Sequence, residues 1–394
     1  MTTIDKTQVG RSVQHQSAEL TAWLNNRALP MWTALGADID KGECYESIDL
    51  ATQKPLFAAR RARVVPRQIY SFLEGAKLGW SGPAEALTKG LYKWFLDAYH
   101  SNEGYFISSV DVENRVTDQT FDLYNQAFAL FAFAQIAGNI SDLQSDAEEH
   151  ASDLLNYLTE NYRNPHGGFR EANPDKLPLR SNPHMHMFEA CLAWETISAD
   201  PAWRELSDEI AELALNRFID PVTGGLREFF EMDWSPFSED LGRVMEPGHQ
   251  FEWAWLLTRW GQSRSDAGAL IAARRLYDIA WTYGIDESRG VTFMAMNDDF
   301  SVRNPIARLW GQTEWLKAAI ALAEISNGPE RDAYLSDIPD AANAMRKFFE
   351  SAPEGLWRDK MSPDGEFEDE PAPASSLYHI VCAISELNRF AAGK

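Results

Sequence analysis

Histidine, carboxylate and arginine side chains recur at one place in this chain, the opening turn of segments that are otherwise apolar. In order they are Arg67 in RQIYSF, Tyr124 and Asn125 in YNQAFAL, and Asn182, His184 and His186 in SNPHMHMFEA. Glu246, His249 and Glu252 follow in EPGHQFEWAWLL, then Arg308, Trp310, Gln312 and Glu314 in ARLWGQTEWLKAA, and finally Ser375, Ser376 and His379 in PASSLYHIVCA. Burying such groups unpaired is costly, so each needs a partner or a ligand. Any one of them alone reads as a helix cap or a satisfied core group. Together, two imidazoles in corresponding positions, His249 and His379, with arginines and carboxylates nearby, form a constellation suited to acid–base chemistry near neutral pH. Arg67 is a permanently charged donor, Glu252 shares a helical face with His249, and Trp310 offers a flat apolar wall. His184 and His186 diverge by about 200 degrees on a helix, so only one is expected to face the site and a His-x-His metal pair is not expected.

The elements that carry these residues repeat. A glycine followed by a short extended segment recurs at Gly42, Gly104, Gly168, Gly225, Gly290 and Gly355, with gaps of 62, 64, 57, 65 and 65 residues. A fixed period of this kind marks a repeat architecture. After each glycine comes a helical segment with apolar residues on most faces, such as YNQAFALFAFAQIAG or HQFEWAWLLTRWGQ, which marks a buried helix. A second, amphipathic helix follows, for example WRELSDEIAELALNRFI, whose charged face looks outward. Six αα-hairpins with no strand–helix alternation predict an all-α closed (α/α)6 barrel with inner and outer rings, one domain over residues 1–394. The competing arrangement is an open solenoid of helix pairs; the absence of a polar capping face on the terminal units favours closure. The segments after each glycine are expected to form turns or short strands at one rim. Trp253, Trp255 and Trp315 are expected in the core, and residues 231–245 and 361–373 read as rim loops.

Composition narrows the function. The chain has 36 basic and 59 acidic residues, a formal net charge of -23, which repels nucleic acid and anionic lipid at long range and disfavours a phosphorylated or acidic substrate unless arginines cluster locally. Its 14 Trp, 21 Phe and 12 Tyr suggest a ring-lined pocket of the kind on which sugars stack. Cys44, Cys191 and Cys382 are far apart and odd in number, which suggests neither disulfides nor a zinc knuckle and fits a reducing compartment. The polar N-terminal stretch lacks the apolar core of a signal peptide, and no run approaches a membrane span, so a cytoplasmic location is expected.

The phrases RSNPHMHMFEA, EPGHQFEWAWLL, RLWGQTEWLKAA and PASSLYHI, with RQIYSF and YNQAF, occur in order between residues 67 and 380. In them the chain resembles the N-acylglucosamine 2-epimerase superfamily, in the branch of mannose isomerases and sugar 2-epimerases. The resemblance implies an (α/α)6 barrel, no metal or cofactor, and two histidines acting as acid and base on an open-chain sugar, matched here to His249 and His379. Sugar-binding positions carried over by motif are Arg67, Tyr124, Asn182, His186, Glu252 and Trp310, with Arg243 in the variable stretch before EPGH. It further implies a monosaccharide as the partner, with no nucleic acid or membrane, and a monomer or homodimer.

Removing the proton beside a sugar carbonyl needs a base near neutral pH and a donor for the developing enediolate oxygen. Within the branch, the HMHMFEA and EPGHQFEWAWLL phrases point first to an aldose–ketose isomerase interconverting D-mannose and D-fructose through a cis-enediol. On that reading His379 carries the proton between C1 and C2 and His249 opens the ring. The second choice is a sugar 2-epimerase. An inverting glycosidase with a carboxylate pair such as Glu246 and Glu314, and a non-catalytic sugar-binding protein, are the distant alternatives.

Overall fold

The computed structural model describes residues 6–172 and 175–393. The first five residues of the polar N-terminal stretch, and residues 173 and 174 after the third glycine, lie outside the described residues. The inner helices are α3 (Val64–Lys77), α5 (Leu123–Asn139), α7 (Ser181–Glu195), α9 (Pro247–Arg264), α11 (Leu309–Ile325) and α13 (Ser376–Ala391). Around them lie α1 (Lys6–Trp23), which runs through a π-helical turn into α2 (Leu29–Ala34), and α4 (Ala84–Tyr99), α6 (Gln144–Tyr162), α8 (Pro201–Leu213), α10 (Ala267–Tyr283) and α12 (Gly328–Glu350). The inner ring closes, with α3 packed on both α5 and α13, and α11 on both α9 and α13. The molecule is therefore an (α/α)6 barrel, not an open solenoid.

Sequence decides which ring each helix joins. α5 carries Ala, Phe and Leu all round and buries nearly its whole length. α8 turns Trp203, Leu206, Ile210 and Leu213 inward, while Glu205 and Glu212 face water. Two outer helices, α8 and α10, start on side-chain caps, Asp200 accepting from the Ala202 N–H at 2.9 Å and Asp266 from the Ala269 N–H at 2.8 Å. Trp253, Trp255 and Trp315 are buried, as expected. Among the described residues no helix is long and apolar enough to cross a membrane, and all three cysteines are buried and unbridged.

Short strands form the rim and stitch neighbouring hairpins together. Arg60–Arg61 pairs with Ser109–Val110, Leu179–Arg180 with Phe229–Phe230, Val244–Met245 with Met296–Asn297, and Ala307–Arg308 with Lys360–Met361. Ala372–Pro373 pairs with Ser47–Ile48, which joins the last unit to the first. The glycine repeat is real, with one adjustment: Gly42, Gly104, Gly168, Gly290 and Gly355 take left-handed conformations, but in the fourth unit Gly224 does so, not Gly225.

Inner helices hold this rim by a recurring device. Gln126 accepts from the Phe106 N–H and donates to its carbonyl, and Gln250 does the same at Leu226 and Gln312 at Thr292. In the third unit His184 fills the role, its Nε2 accepting from the Phe169 N–H at 3.0 Å. Gln312, expected among the groups converging on the site, is thus a backbone clamp. Asn125, fully buried, reaches the Ser108 hydroxyl instead of the cavity.

Candidate active site

All six inner helices begin at the strand-bearing rim, so their N-termini converge on one end of the bore. There a cavity of about 180 Å³ is lined by Arg67, Tyr124, Asn182, His186, Glu246, His249, Glu252, Met294, Arg308, Trp310, Ser375, Ser376 and His379. The helix N-termini direct partial positive charge and free N–H groups toward it. Except in α5, where Asp122 caps the Tyr124 N–H, the residues preceding the inner helices make no side-chain cap. Glu246, Arg308 and Ser375 hold such positions, and their side chains line the cavity.

His249 stands in an acidic corner. Its Nδ1 lies 3.0 Å from a carboxylate oxygen of Glu228 and 3.7 Å from one of Glu246. Burial alone would push the imidazole down, but the two carboxylates outweigh it and hold it up at about 10. Glu246 itself is pushed up to about 7 by burial and by Glu228, against the pull of His249. Glu228 also accepts from the Ser181 hydroxyl at 3.0 Å, which ties the corner to α7.

His379 stands in a cationic corner. Burial pushes it well below the usual histidine range, and the Arg67 and Lys317 charges push the same way. Its Nδ1 lies 2.9 Å from Glu314 Oε1. Arg67, packed over the Phe128 ring at 4.3 Å, donates to the Tyr124 hydroxyl and to the Ser375 carbonyl. Trp310 links the corners, its ring 4.9 Å from that of His249 and 6.0 Å from that of His379. It is seated against Gly248, where an added Cβ would fall 2.4 Å from the indole.

Other groups complete the lining. His186 is pushed down to about 4 by burial and lies 3.3 Å from Glu189, which also accepts from the Tyr378 hydroxyl. Burial, with Glu314 nearby, pushes Glu252 up to about 8. The arrangement thus sets two imidazoles whose pKa values are pushed in opposite directions beside the same indole, a pair suited to donating and accepting protons on one small polar molecule.

Of the residues matched to catalysis or sugar binding, all but Arg243 line this cavity. Arg243 lies outside the cavity, 45% exposed and paired with Asp298 and Asp299, because the stretch before EPGH turns through a short 3-10 helix that aims it at the neighbouring rim hairpin. Glu314, offered as half of a glycosidase pair, is fully buried beneath the cavity and bound to His379 and Lys317, so it cannot flank a glycosidic bond. Sequence reasoning missed Glu228, Glu189, Lys317, Met294 and Tyr378. Lys317 left a signal, a lone charge inside the apolar run of WLKAAIALA.

Two groups, His186–Glu189–Glu252 and Glu252–Glu314–His379, come close enough to share an ion. The Lys317 ammonium already lies 2.5 Å from Glu314 and 3.9 Å from Glu252. Around Glu314 and Glu252 a positive charge is thus already supplied by the chain itself.

A family model described as N-acylglucosamine 2-epimerase matches residues 45–383. A protein of Rhizobium meliloti (strain 1021) named mannose-6-phosphate isomerase is 46% identical over 96% of this chain and 98% of its own. The D-mannose isomerase of Pseudomonas cannabina pv. alisalensis is 23% identical over 91% of this chain and 92% of its own. The solved structure of cellobiose 2-epimerase from Spirochaeta thermophila DSM 6192 has the same fold, with a TM-score of 0.85 at 21% identity, covering 100% of this chain and 99% of that one.

Proposed function

The chain belongs to the N-acylglucosamine 2-epimerase family, and from that premise we propose that it is a cofactor-independent aldose–ketose isomerase interconverting D-mannose and D-fructose. The observation that carries this reading is the pair of imidazoles against one indole in one cavity, their pKa values pushed in opposite directions by their neighbours. The His249 imidazolium gives a proton to the ring oxygen and opens the sugar. His379 Nε2 then removes the C2 proton, and the C1 carbonyl oxygen becomes the enediolate oxygen, met by the Arg67 guanidinium and the helix N-termini. His379, whose captured proton exchanges with solvent, returns a proton to C1 from the same face while the C2 hydroxyl proton passes to the C1 oxygen and C2 becomes the carbonyl, which leaves fructose. One base on one face suffices for this transfer.

Isomerisation is favoured over 2-epimerisation by two relatives named as mannose or mannose-6-phosphate isomerases over nearly the full chain. A monosaccharide suits a cavity of about 180 Å³, below the roughly 300–1,000 Å³ of pockets for larger ligands. The name of the 46% identical relative supports a second reading, mannose 6-phosphate, for which Arg308 is the cavity cation nearest the rim strands. Against it, Glu246 and Glu252 line the same cavity and Arg308 is bound to Asp359 at 2.7 Å.

Incubation with mannose, and in parallel with mannose 6-phosphate, in deuterated water with a chelator distinguishes these readings by proton NMR. Fructose with deuterium at C1 is the expected product. Glucose replaces the proposal with epimerisation, product from the phosphorylated sugar alone selects the second reading, and no label uptake from either sugar overturns both.

A further inference from the structure

Lys317 has no part in the chemistry above, yet it is fully buried. It lies between Leu316 and Ala318 in α11, with its ammonium 3.9 Å over the Trp255 ring. Burying an ammonium costs several kcal/mol before its partners are counted, and a well-packed apolar residue often serves stability as well.

Its contacts lead to His379. The Lys317 ammonium lies 2.5 Å from Glu314 Oε2, and the other carboxylate oxygen lies 2.9 Å from His379 Nδ1 and accepts from the Thr313 hydroxyl at 3.2 Å. An ionised carboxylate only accepts hydrogen bonds, so it obliges Nδ1 to be the donor. The imidazole hydrogen then sits on Nδ1, and Nε2 keeps a bare lone pair. A protonated Glu314 would reverse this, because its hydroxyl could donate to Nδ1 and send the hydrogen to Nε2. Burial pushes Glu314 toward that protonated state, and Lys317 opposes it.

We infer that Lys317 is a positioning residue whose ammonium keeps Glu314 a carboxylate and thereby sets the tautomer that makes His379 Nε2 a base. The inference rests on the assignment of His379 as the base. The titratable groups facing His379 are Arg67 from α3, His186 and Glu189 from α7, Glu252 from α9, Glu314 and Lys317 from α11, and Tyr378 and Cys382 from its own helix. Lys317 and Arg67 are the cations of that set, and of the two Lys317 is the one paired with Glu314.

The test uses the full-length wild type, Lys317→Met and the double variant Lys317→Met/Glu314→Gln, which removes both charges and keeps the volumes. Side-chain nitrogen NMR of labelled histidine, with His379 identified by its loss in His379→Asn, reads the tautomer directly. Wild type is expected to carry the hydrogen on Nδ1, and Lys317→Met to shift it to Nε2 at neutral pH. In mannose isomerisation, Lys317→Met is expected to lose kcat by about 10²-fold, the scale of a disabled general base, with KM changed much less. Its kcat should recover as rising pH ionises Glu314, whereas the double variant should show the loss without the recovery. If Lys317→Met keeps the Nδ1 tautomer, and its melting temperature falls without any change in the shape of the pH profile, Lys317 is only structural and the inference is overturned. The tautomer is read in the resting protein, so a failure of the isomerase reading would leave this result intact and separately decided.

Discussion

His249 and His379 sit in corresponding turns of the fourth and sixth inner helices, yet their surroundings are opposite. Glu228 and Glu246 flank the first, while the second, with Glu314 at its Nδ1, also feels the Arg67 and Lys317 charges. On the proposed reading, the same fold position yields an acid in one repeat and a base in the other. Barrel geometry brings the rings to one cavity, and the charges one layer behind decide what each ring does.

Removing either ring should break the comparison most severely. His249→Ala and His379→Ala are each expected to lower kcat by about 10²–10⁴-fold while the fold is retained, the range for a general acid or base. They should differ in kind: His379→Ala abolishes exchange of the C2 proton with solvent, whereas His249→Ala retains slow exchange drawn from the open-chain fraction of the sugar. Equal exchange in the two variants would remove the asymmetry.

A smaller effect is expected from neutralising one neighbour. Glu228→Gln takes away the carboxylate nearest His249, so the alkaline limb of the kcat profile, expected near pH 10 in wild type, should move toward neutrality. An unmoved limb would mean that Glu228 does not hold the charge.

Stability should part the corners at opposite ends of the pH scale. His249 is raised on folding to about 10, so its contribution is complete below its unfolded value of about 6.5 and is lost as pH rises toward 10. His186, beside the cationic corner, is lowered to about 4, so its contribution is present above about 6.5 and is lost as pH falls toward 4. In urea melts across pH, His249→Gln should flatten the alkaline loss and His186→Gln the acid loss. The reverse pattern would contradict the charge assignment.

The smallest effect is expected at His184, which takes the place that glutamine holds in neighbouring repeats. Its Nδ1 meets the Arg180 carbonyl and its Nε2 the Phe169 N–H, as the Gln126 amide meets the Asp122 carbonyl and the Phe106 N–H. His184→Gln should therefore change stability by less than about 1 kcal/mol, the scale of one exchanged hydrogen bond, with kcat unchanged. A large loss of activity would return His184 to the site.

The ring of helices was legible because its signals are local. Segments apolar on every face can only be buried, and a glycine period with gaps from 57 to 65 residues can only repeat. Cavity positions were legible for a related reason: polar residues opening buried helices must meet at one rim. What stayed hidden was contact between segments far apart in the pattern. Glu228, in the same repeat as His249, reaches it from the bend before a rim strand, and Lys317 lies a full repeat from His379, so nothing in the local pattern ties either to its histidine. Arg243 misled for the same reason, since its partners Asp298 and Asp299 belong to the next rim hairpin. Glu314 looked like a free acid only because the lysine one turn on had not been paired with it.

The most direct measurement is a pH titration of the labelled histidine side chains in the resting protein, followed by nitrogen NMR from pH 5 to 10. The expected result is a His249 ring that stays doubly protonated through neutrality and a His379 ring that stays neutral with its hydrogen on Nδ1. Two rings titrating together near pH 6.5, or the charge residing on His379, would contradict the division of labour between the two corners.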